Sequence, residues 1–236
     1  MNYKAILLDI EGVTTPIDFV HKTLFPFARE RMLDFVRDNL DRLQDEVASL
    51  HAEHKIDFQN GEMFAPFDET SAESIAEYLI SLIDRDRKST ALKSIQGQIW
   101  RNGYESGELS GEIFDDVPVA FERWKEEGKT IAIFSSGSRL AQRLIFGFSV
   151  SGDLTPNISA YFDTTTGAKK EPASYRKISE SLSFPPVEIL FVSDSIAELD
   201  AAFGAGMQTR LCVRPNNPLI EEPTAHQIIY RLDEIE

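Results

Sequence analysis

The most constraining feature of this sequence is an alternation of short apolar runs with helix-like segments. After residue 112, apolar runs and helical patterns follow one another, the runs at 130–134, 160–162, 188–192 and 210–213 and the helical patterns at 117–126, 139–146, 174–182 and 196–205. An earlier apolar run, Ala5 to Leu8, is too short for a helix and ends at Asp9. Such alternation is typical of βαβ units, whose parallel strands are covered by helices on both faces. The sequence therefore predicts an α/β fold with a doubly wound parallel sheet.

The segment from residue 17 to residue 112 interrupts this alternation because it contains no convincing strand. Apolar residues recur near helical spacing after Pro16, and further helices are predicted at 71–84 and 90–102, the second ending at Gly103. A chain of 236 residues is long enough for one domain that carries an insertion. We therefore predict a core domain formed by residues 1–16 and 113–236 and a helical domain formed by residues 17–112, inserted after the first strand.

Charge and composition exclude several classes of partner. The chain has 24 Lys and Arg against 39 Asp and Glu, a formal net charge of −15, without a basic stripe, so nucleic acid is not an expected partner. No apolar stretch approaches the roughly 20 residues of a membrane-spanning helix, and the N-terminus lacks a signal-peptide core. The single cysteine, Cys212, excludes an internal disulfide and is expected to be buried. We expect a cytoplasmic monomer that binds neither nucleic acid nor a membrane.

Two carboxylates follow the first predicted strand. Asp9 and Glu11 precede Gly12, and in a continued strand both side chains would face the same side, unless Gly12 bends the chain first. Two like charges that close together are stabilised by a divalent cation such as Mg²⁺, which prefers oxygen ligands. The alternative is that both acids are solvated in a strand-to-helix loop.

Hydroxyls and lysines follow the next two predicted strands. Ser135 and Ser136 would bind a phosphate through their hydroxyl and amide groups, or else Ser136 or Ser138 would cap the following helix. One lysine of the pair Lys169-Lys170 would pair with a phosphate dianion, whereas a lysine in a turn is ordinarily solvated. Each signal is weak when it is taken alone.

A further acid, Asp194, follows the fourth predicted strand. It would complete a metal site, or it would cap the helix that begins near Ser195. In an open α/β sheet, ligands bind outside the carboxyl ends of the strands, so these groups are expected at one edge. The strand ends thus supply acids, a hydroxyl, a lysine and an acid in that order, a conjunction that chance rarely produces.

This order resembles the four motifs of haloacid-dehalogenase-superfamily phosphatases: a strand-end Asp, a Ser or Thr, a Lys and one or more further acids. Within that superfamily, the sequence is more similar to the enolase-phosphatase (acireductone synthase) family, over nearly the whole chain. Glu11 is the specific element, because most relatives have Asp as the second acid, whereas Val13 departs from the Thr expected there. The segments that carry the resemblance are Asp9-Ile10-Glu11-Gly12, Thr14-Thr15-Pro16-Ile17, Phe134-Ser135-Ser136-Gly137-Ser138, Tyr161-Phe162-Asp163-Thr164, Gly167-Ala168-Lys169 and Val213-Arg214-Pro215.

The resemblance implies a core of the haloacid-dehalogenase type, a helical cap formed by the insertion, and Mg²⁺ as the cofactor. It implies that Asp9 attacks phosphorus and forms an aspartyl phosphate, which water later hydrolyses. It also implies that Mg²⁺ is held by Asp9, by Asp194 and by Glu11, the last through its side chain or its backbone carbonyl.

The remaining motifs of the resemblance concern the substrate. Ser135 and Ser136 would hydrogen-bond the phosphoryl oxygens, and Lys169, which spacing favours over Lys170, would orient the nucleophile and balance its charge. The implied substrate is 2,3-diketo-5-methylthiopentyl-1-phosphate, which is enolised and then dephosphorylated to the acireductone of methionine salvage. Glu11 is our hypothesis for the base that removes the proton.

The sequence leaves three other functions as alternatives. One is another capped phosphatase of the same superfamily, which acts on a different small phosphate ester without enolisation. A second is a receiver-like phosphoacceptor signalling module, which the length of the chain and the helical insertion after the first strand disfavour. A third is a dehalogenase, which the acid after the nucleophile and the phosphate-suited serine loop disfavour.

Overall fold

The computed structural model describes residues 3–217 and 224–236. Its strands are β1 (Ala5–Leu8), β2 (Thr130–Phe134), β3 (Ala160–Phe162), β4 (Ile189–Ser193), β5 (Gln208–Cys212) and β6 (Gln227–Ile229). Its α-helices are α1 (Ile17–Phe19), α2 (Phe25–Asn39), α3 (Gln44–Gln59), α4 (Ala72–Asp84), α5 (Thr90–Glu105), α6 (Asp116–Glu126), α7 (Arg139–Gly147), α8 (Pro172–Leu182) and α9 (Ile196–Gly204). A π-helical turn (Val20–Leu24) and four 3₁₀ turns (Leu40–Arg42, Thr155–Asn157, Pro186–Glu188 and Leu232–Glu234) complete the described elements.

The described strands form one parallel sheet in the order β3-β2-β1-β4-β5-β6. This order reverses direction between β1 and β4, which is where a doubly wound sheet opens a crevice for ligands. Leu8, the last residue of β1, pairs with Ile133 and Val192, so the three central strands end at nearly the same level. Every residue of β1 and β4 is buried, because helices cover both faces of the sheet. The predicted doubly wound parallel α/β fold is confirmed.

The strand predictions follow the apolar runs closely. The bounds of β1, β2 and β3 agree with the prediction, whereas β4 and β5 are displaced by one or two residues. We did not predict β6, because two of its three residues are exposed and it lacks an apolar run. Residues 17–112, all of which the structure describes, contribute no strand to the sheet.

The chain divides into two compact units, one formed by Met1–Val20 with Ser110–Glu236 and the other by His21–Leu109. In the first unit, aromatic side chains pack between α8 and the sheet: the ring of Tyr175 contacts those of Phe134 in β2 and Phe191 in β4. Cys212 is buried there as predicted, and burial raises the pKa of its thiol to about 12. Among the described residues, no helix is both long enough and apolar enough to cross a membrane.

The second unit is built from α2 to α5. The predicted start of α4 is confirmed, since the Ser71 hydroxyl accepts a hydrogen bond from the Ser74 amide. The predicted stop of α5 at Gly103 is wrong, because the helix continues to Glu105. A Cβ at Gly103 would lie 2.4 Å from the Phe27 ring, so this glycine permits close helix packing instead of ending the helix.

Candidate active site

A tight loop follows β1 in place of a continued strand. The Ile10 carbonyl accepts hydrogen bonds at 3.2, 3.0 and 2.9 Å from three successive amides, those of Val13, Thr14 and Thr15. Gly12 turns the chain with a φ of +68°, a left-handed conformation that favours glycine. A Cβ at Gly12 would lie 2.4 Å from Oδ2 of Asp194, so the loop approaches the end of β4 closely.

Asp9 begins this loop directly beyond β1, and it is 6% exposed. Its Oδ1 accepts a hydrogen bond from the Ile10 amide at 2.8 Å, and its Oδ2 lies 2.6 Å from Nζ of Lys169. Glu11 lies within the turn and is partly exposed. The chain therefore bends at Gly12, as the sequence allows. The alternation of side chains along a strand consequently does not determine where Glu11 lies.

Lys169 is a buried cation beside Asp9. Its Nζ lies 2.6 Å from Oδ2 of Asp9 and 2.7 Å from Oε2 of Glu198. Burial by itself lowers the pKa of an ammonium group, but the carboxylates of Asp9 and Glu198 raise the pKa of Lys169 above its usual value. Lys170 is exposed, so the structure distinguishes the two lysines that the sequence left as candidates.

The start of α8 holds the turn that carries Lys169. The Tyr175 hydroxyl donates to the Lys169 carbonyl at 2.7 Å, and the Ser174 hydroxyl donates to the Ala168 carbonyl at 2.7 Å. Tyr175 is fully buried, so the backbone of this turn is attached to the core of the unit. The ammonium group is consequently held in place from its main chain as well as by its two carboxylate partners.

Asp194 follows β4 and faces the loop at Gly12. Burial raises the pKa of Asp194 to about 7, and the negative charge of Asp9 contributes to that rise. Asp194 does not cap the following helix, because α9 has Ser195 as its N-cap residue and forms no side-chain capping hydrogen bond. The sequence left helix capping open as a role for Asp194, and the structure does not place Asp194 in that role.

Acidic groups outnumber basic ones around this point. The carboxylates of Asp9, Glu198 and Glu11 all raise the pKa of Asp194, whereas Lys169 lowers it. An excess of carboxylate oxygens favours a bound hard cation. In residues 3–217 and 224–236, no three His, Cys, Asp or Glu side chains form a cluster that could hold a metal by themselves.

The serines follow β2 as the sequence predicts. Ser135 is buried, and its hydroxyl accepts a hydrogen bond from the Gly137 amide at 3.2 Å. The N-cap of α7 is Ser138, whose hydroxyl accepts from the Ala141 amide at 3.3 Å. The capping role that the sequence assigned to Ser136 or Ser138 thus belongs to Ser138.

The sheet brings the predicted residues to one edge. Asp9, Ser135 and Asp194 leave the adjacent strands β1, β2 and β4 within two residues of the same level. Nζ of Lys169 lies 5.8 Å from the ring centre of Phe134, the last residue of β2. These groups surround the point where the strand order reverses.

Sequence reasoning did not assign two residues of this cluster. The Ser193 hydroxyl lies 3.3 Å from Oδ2 of Asp9 and 3.1 Å from Oε2 of Glu198, between the two acids. Glu198 also forms the second ion pair of Lys169. A signal for Glu198 existed, because it is an acid in the first turn of the helix that follows Asp194.

Comparison with known proteins agrees with this geometry. Residues 3–206 match the family model of the haloacid dehalogenase-like hydrolases. The sequence is also similar to enolase-phosphatase E1 of Synechococcus elongatus, with 50% identity over 92% of this chain and 91% of the relative. The chain belongs to the haloacid dehalogenase-like hydrolases. Within that class it is a member of the enolase-phosphatase E1 enzyme family, as the motifs predict.

Other relatives extend this result. Enolase-phosphatase E1 of Klebsiella oxytoca is 42% identical over 98% of this chain and 96% of its own. The crystal structure of the UTR4 protein of Saccharomyces cerevisiae superposes with a TM-score of 0.81 at 32% identity, over 98% of both chains. CbbY of Rhodobacter sphaeroides, in complex with phosphate, has a TM-score of 0.59 at 16% identity over 98% of this chain and 96% of its own, a likeness of fold.

Proposed function

We propose that this protein is a magnesium-dependent enolase-phosphatase of methionine salvage. Its substrate is 2,3-diketo-5-methylthiopentyl-1-phosphate, and its products are phosphate and the acireductone 1,2-dihydroxy-3-keto-5-methylthiopentene. The proposal rests on the buried Asp9–Lys169 pair at 2.6 Å beside Asp194, in a chain that is 50% identical to a relative named enolase-phosphatase E1. It works as a cytoplasmic monomer on a small phosphorylated molecule, and its net charge of −15 argues against a nucleic-acid partner.

Asp9 is the nucleophile in this proposal. A carboxylate oxygen of Asp9 forms a bond to phosphorus while the ester P–O bond breaks. The electron pair of the broken bond stays on the leaving oxygen. Water then attacks the aspartyl phosphate and releases phosphate, which regenerates the carboxylate. The Ile10 amide and the Lys169 ammonium each contact one oxygen of the Asp9 carboxylate, which supports a fixed direction of attack.

Ser135 and Ser136 bind the phosphoryl group in this proposal. Their place after β2, beside the edge at which Asp9 leaves β1, supports that role, as does the separate use of Ser138 as the helix cap. Lys169 orients Asp9 and offsets the negative charge of the bound phosphate.

The residues present fit Mg²⁺ as the cofactor. Oxygen donors are available on Asp9, on Asp194 and on Glu11, through its side chain or its backbone carbonyl. The excess of acidic groups and the raised pKa of Asp194 support a site that gains stability from a cation. A bound Mg²⁺ supplies charge neutralisation to the phosphoryl oxygens during transfer.

The helical domain predicted at residues 17–112 acts as the cap of the enzyme in this proposal. A reactive enol intermediate benefits from shelter during turnover, because a closed site prevents its side reactions. The compact helical unit His21–Leu109 supports an independently folded cap.

Supplying the diketo phosphate to the purified protein tests the proposed function. With Mg²⁺, we expect the enol to form first, followed by phosphate release, each measured separately by absorbance and by a phosphate assay. With a chelator in place of Mg²⁺, phosphate release is expected to fall at least about 100-fold. Phosphate release without enol formation would favour the simple phosphatase, and stable phosphorylation of Asp9 without turnover would favour the receiver-like module.

Glu11→Gln is expected to slow enol formation about 100-fold or more, because an amide cannot accept the proton from the carbon next to the carbonyl. Enol formation is measured by absorbance under single-turnover conditions at saturating substrate. Glu122→Gln, the same change at an exposed position of α6, is the matched control and is expected to retain the parental rate. Enol formation by Glu11→Gln at the parental rate would contradict the assignment of the base.

A further inference from the structure

Arg214 occupies an unusual position behind the loop that carries Asp9 and Glu11. Its Nε and Nη2 donate to the Val13 carbonyl at 3.0 and 2.9 Å. Its Nη1 and Nη2 donate to the two carboxylate oxygens of Asp116 at 2.9 and 2.8 Å, and Nη1 also donates to the Tyr230 carbonyl at 2.9 Å. A guanidinium has five N–H groups, so all of them have partners.

This group is almost completely removed from solvent. The side chain of Arg214 is 3% exposed and that of Asp116 is 0% exposed. The guanidinium also lies 4.4 Å from the ring centre of Phe114. Burial of a charged pair costs free energy and is a poor route to stability, since apolar side chains of similar volume often serve as well. Stability alone therefore does not account for the pair, and the contacts of the guanidinium are the evidence for what Arg214 does.

We propose that Arg214 is a positioning residue for the nucleophile, an inference that rests on the proposed function of Asp9. A continuous series of hydrogen bonds joins the two residues. The guanidinium holds the Val13 carbonyl, the Val13 amide donates to the Ile10 carbonyl at 3.2 Å, and the Ile10 amide donates to Oδ1 of Asp9 at 2.8 Å. Movement of Val13 therefore changes the orientation of the Asp9 carboxylate.

Neighbouring contacts hold the same loop at its two adjacent carbonyls. The Asn217 side chain donates to the Gly12 carbonyl at 3.0 Å, and the Phe114 amide donates to the Thr14 carbonyl at 3.0 Å. The middle carbonyl is the one that receives two donors from a rigid planar group. Arg214 thus fixes the centre of the loop, where a lysine, with its single ammonium group, cannot reproduce the fork.

Arg214→Lys tests this role because it keeps the charge and loses the fork. We expect kcat for phosphate release to fall about 10- to 100-fold, since a small displacement of reacting groups is enough for that loss. KM is expected to change less than about threefold, because Arg214 is not assigned a contact with the substrate. Arg123→Lys is the matched control, since Arg123 also donates to backbone carbonyls, those of Asp233 and Ile235, and is expected to keep the parental kcat.

Hydrogen exchange measures the position of the loop without reference to activity. In Arg214→Lys, we expect the amides of Val13, Thr14 and Thr15 to exchange at least about tenfold faster than in the parent, while those of β1 and β4 keep their protection. Parental exchange of these three amides in folded Arg214→Lys would overturn the inference, whereas a uniform loss of protection over the whole unit is resolved by a second variant.

The double variant Arg214→Met with Asp116→Asn separates positioning from stability if Arg214→Lys does not fold. It removes both charges and keeps an acceptor for the Leu232 amide, which Asp116 binds at 2.5 Å. We expect a folded protein with a low kcat and a fast-exchanging loop. Parental kcat and parental loop exchange in this variant would overturn the inference. If the parent itself released no phosphate, the proposed function would fail, and the loop exchange would still decide whether Arg214 holds the loop.

Discussion

Asp9→Asn is expected to abolish phosphate release, with a loss of about 10,000-fold or more in kcat. An amide oxygen is a far weaker nucleophile than a carboxylate, and an amide also gives up the charge that Lys169 pairs with at 2.6 Å. The change is nearly isosteric, so the fold is expected to persist. Phosphate release is measured at saturating substrate and Mg²⁺, and rapid acid quenching of the parent followed by mass spectrometry locates the aspartyl phosphate.

The control for this prediction is the same change at an exposed acid. Asp41→Asn, in the 3₁₀ turn Leu40–Arg42, is expected to retain the parental kcat. If Asp9→Asn released phosphate at more than about one hundredth of the parental rate, a loss far below that expected for a nucleophile, Asp9 would not be the nucleophile. A phosphoryl group found on another residue of the quenched parent would lead to the same conclusion.

Lys169→Met is expected to have the second-largest effect. It removes the cation that lies 2.6 Å from Asp9 and 2.7 Å from Glu198, so two largely buried carboxylates lose their common partner. We expect kcat for phosphate release to fall about 1,000-fold, as for the loss of a charge-stabilising donor. We also expect the free energy of unfolding to fall by about 3–5 kcal/mol, the usual result of removing one member of a buried ion pair. Denaturant unfolding in the absence of substrate measures the second effect.

Lys170→Met is a matched control in the adjacent position. Lys170 is exposed, so its removal is expected to leave kcat and the free energy of unfolding close to the parental values. Equal losses in the two variants would mean that positive charge in this turn matters in general, and would contradict the specific pairing of Lys169 with Asp9. Parental activity in Lys169→Met would remove Lys169 from the proposed mechanism.

Local patterns in the sequence were sufficient for most of the fold. The apolar runs that became β1, β2 and β3 agree with the observed strands, because a strand buried on both faces must be apolar throughout. β6 was not predicted because it has no apolar run, and only its pairing with β5 in the folded protein identifies it as a strand. The helix prediction was wrong at Gly103 because this glycine is required by tertiary packing: it lies against the Phe27 ring of another helix, a contact that local sequence does not show.

The site residues were predicted from the sequence because they directly follow strands. The family resemblance was confirmed by the comparisons. Glu198 and Arg214 were not assigned in the same way. Glu198 lies in a helix rather than at a strand end, and Arg214 acts on a backbone carbonyl that any residue type would present. Every residue has a backbone carbonyl, so the amino-acid sequence does not indicate which carbonyl Arg214 contacts. Only the folded structure identifies the Val13 carbonyl as its acceptor.

The sequence by itself determined the class of fold, the order of the chemical groups along the sheet edge and the family, because periodicity and motif spacing are local properties of a chain. The tertiary structure alone decided that Lys169 rather than Lys170 is buried beside Asp9, that Ser138 is the helix cap, and that Arg214 donates to the Val13 carbonyl. Each of these depends on distances and burial between segments that lie far apart in the chain. Such distances are set by the packing of the whole sheet and its helices, and local sequence does not encode them separately.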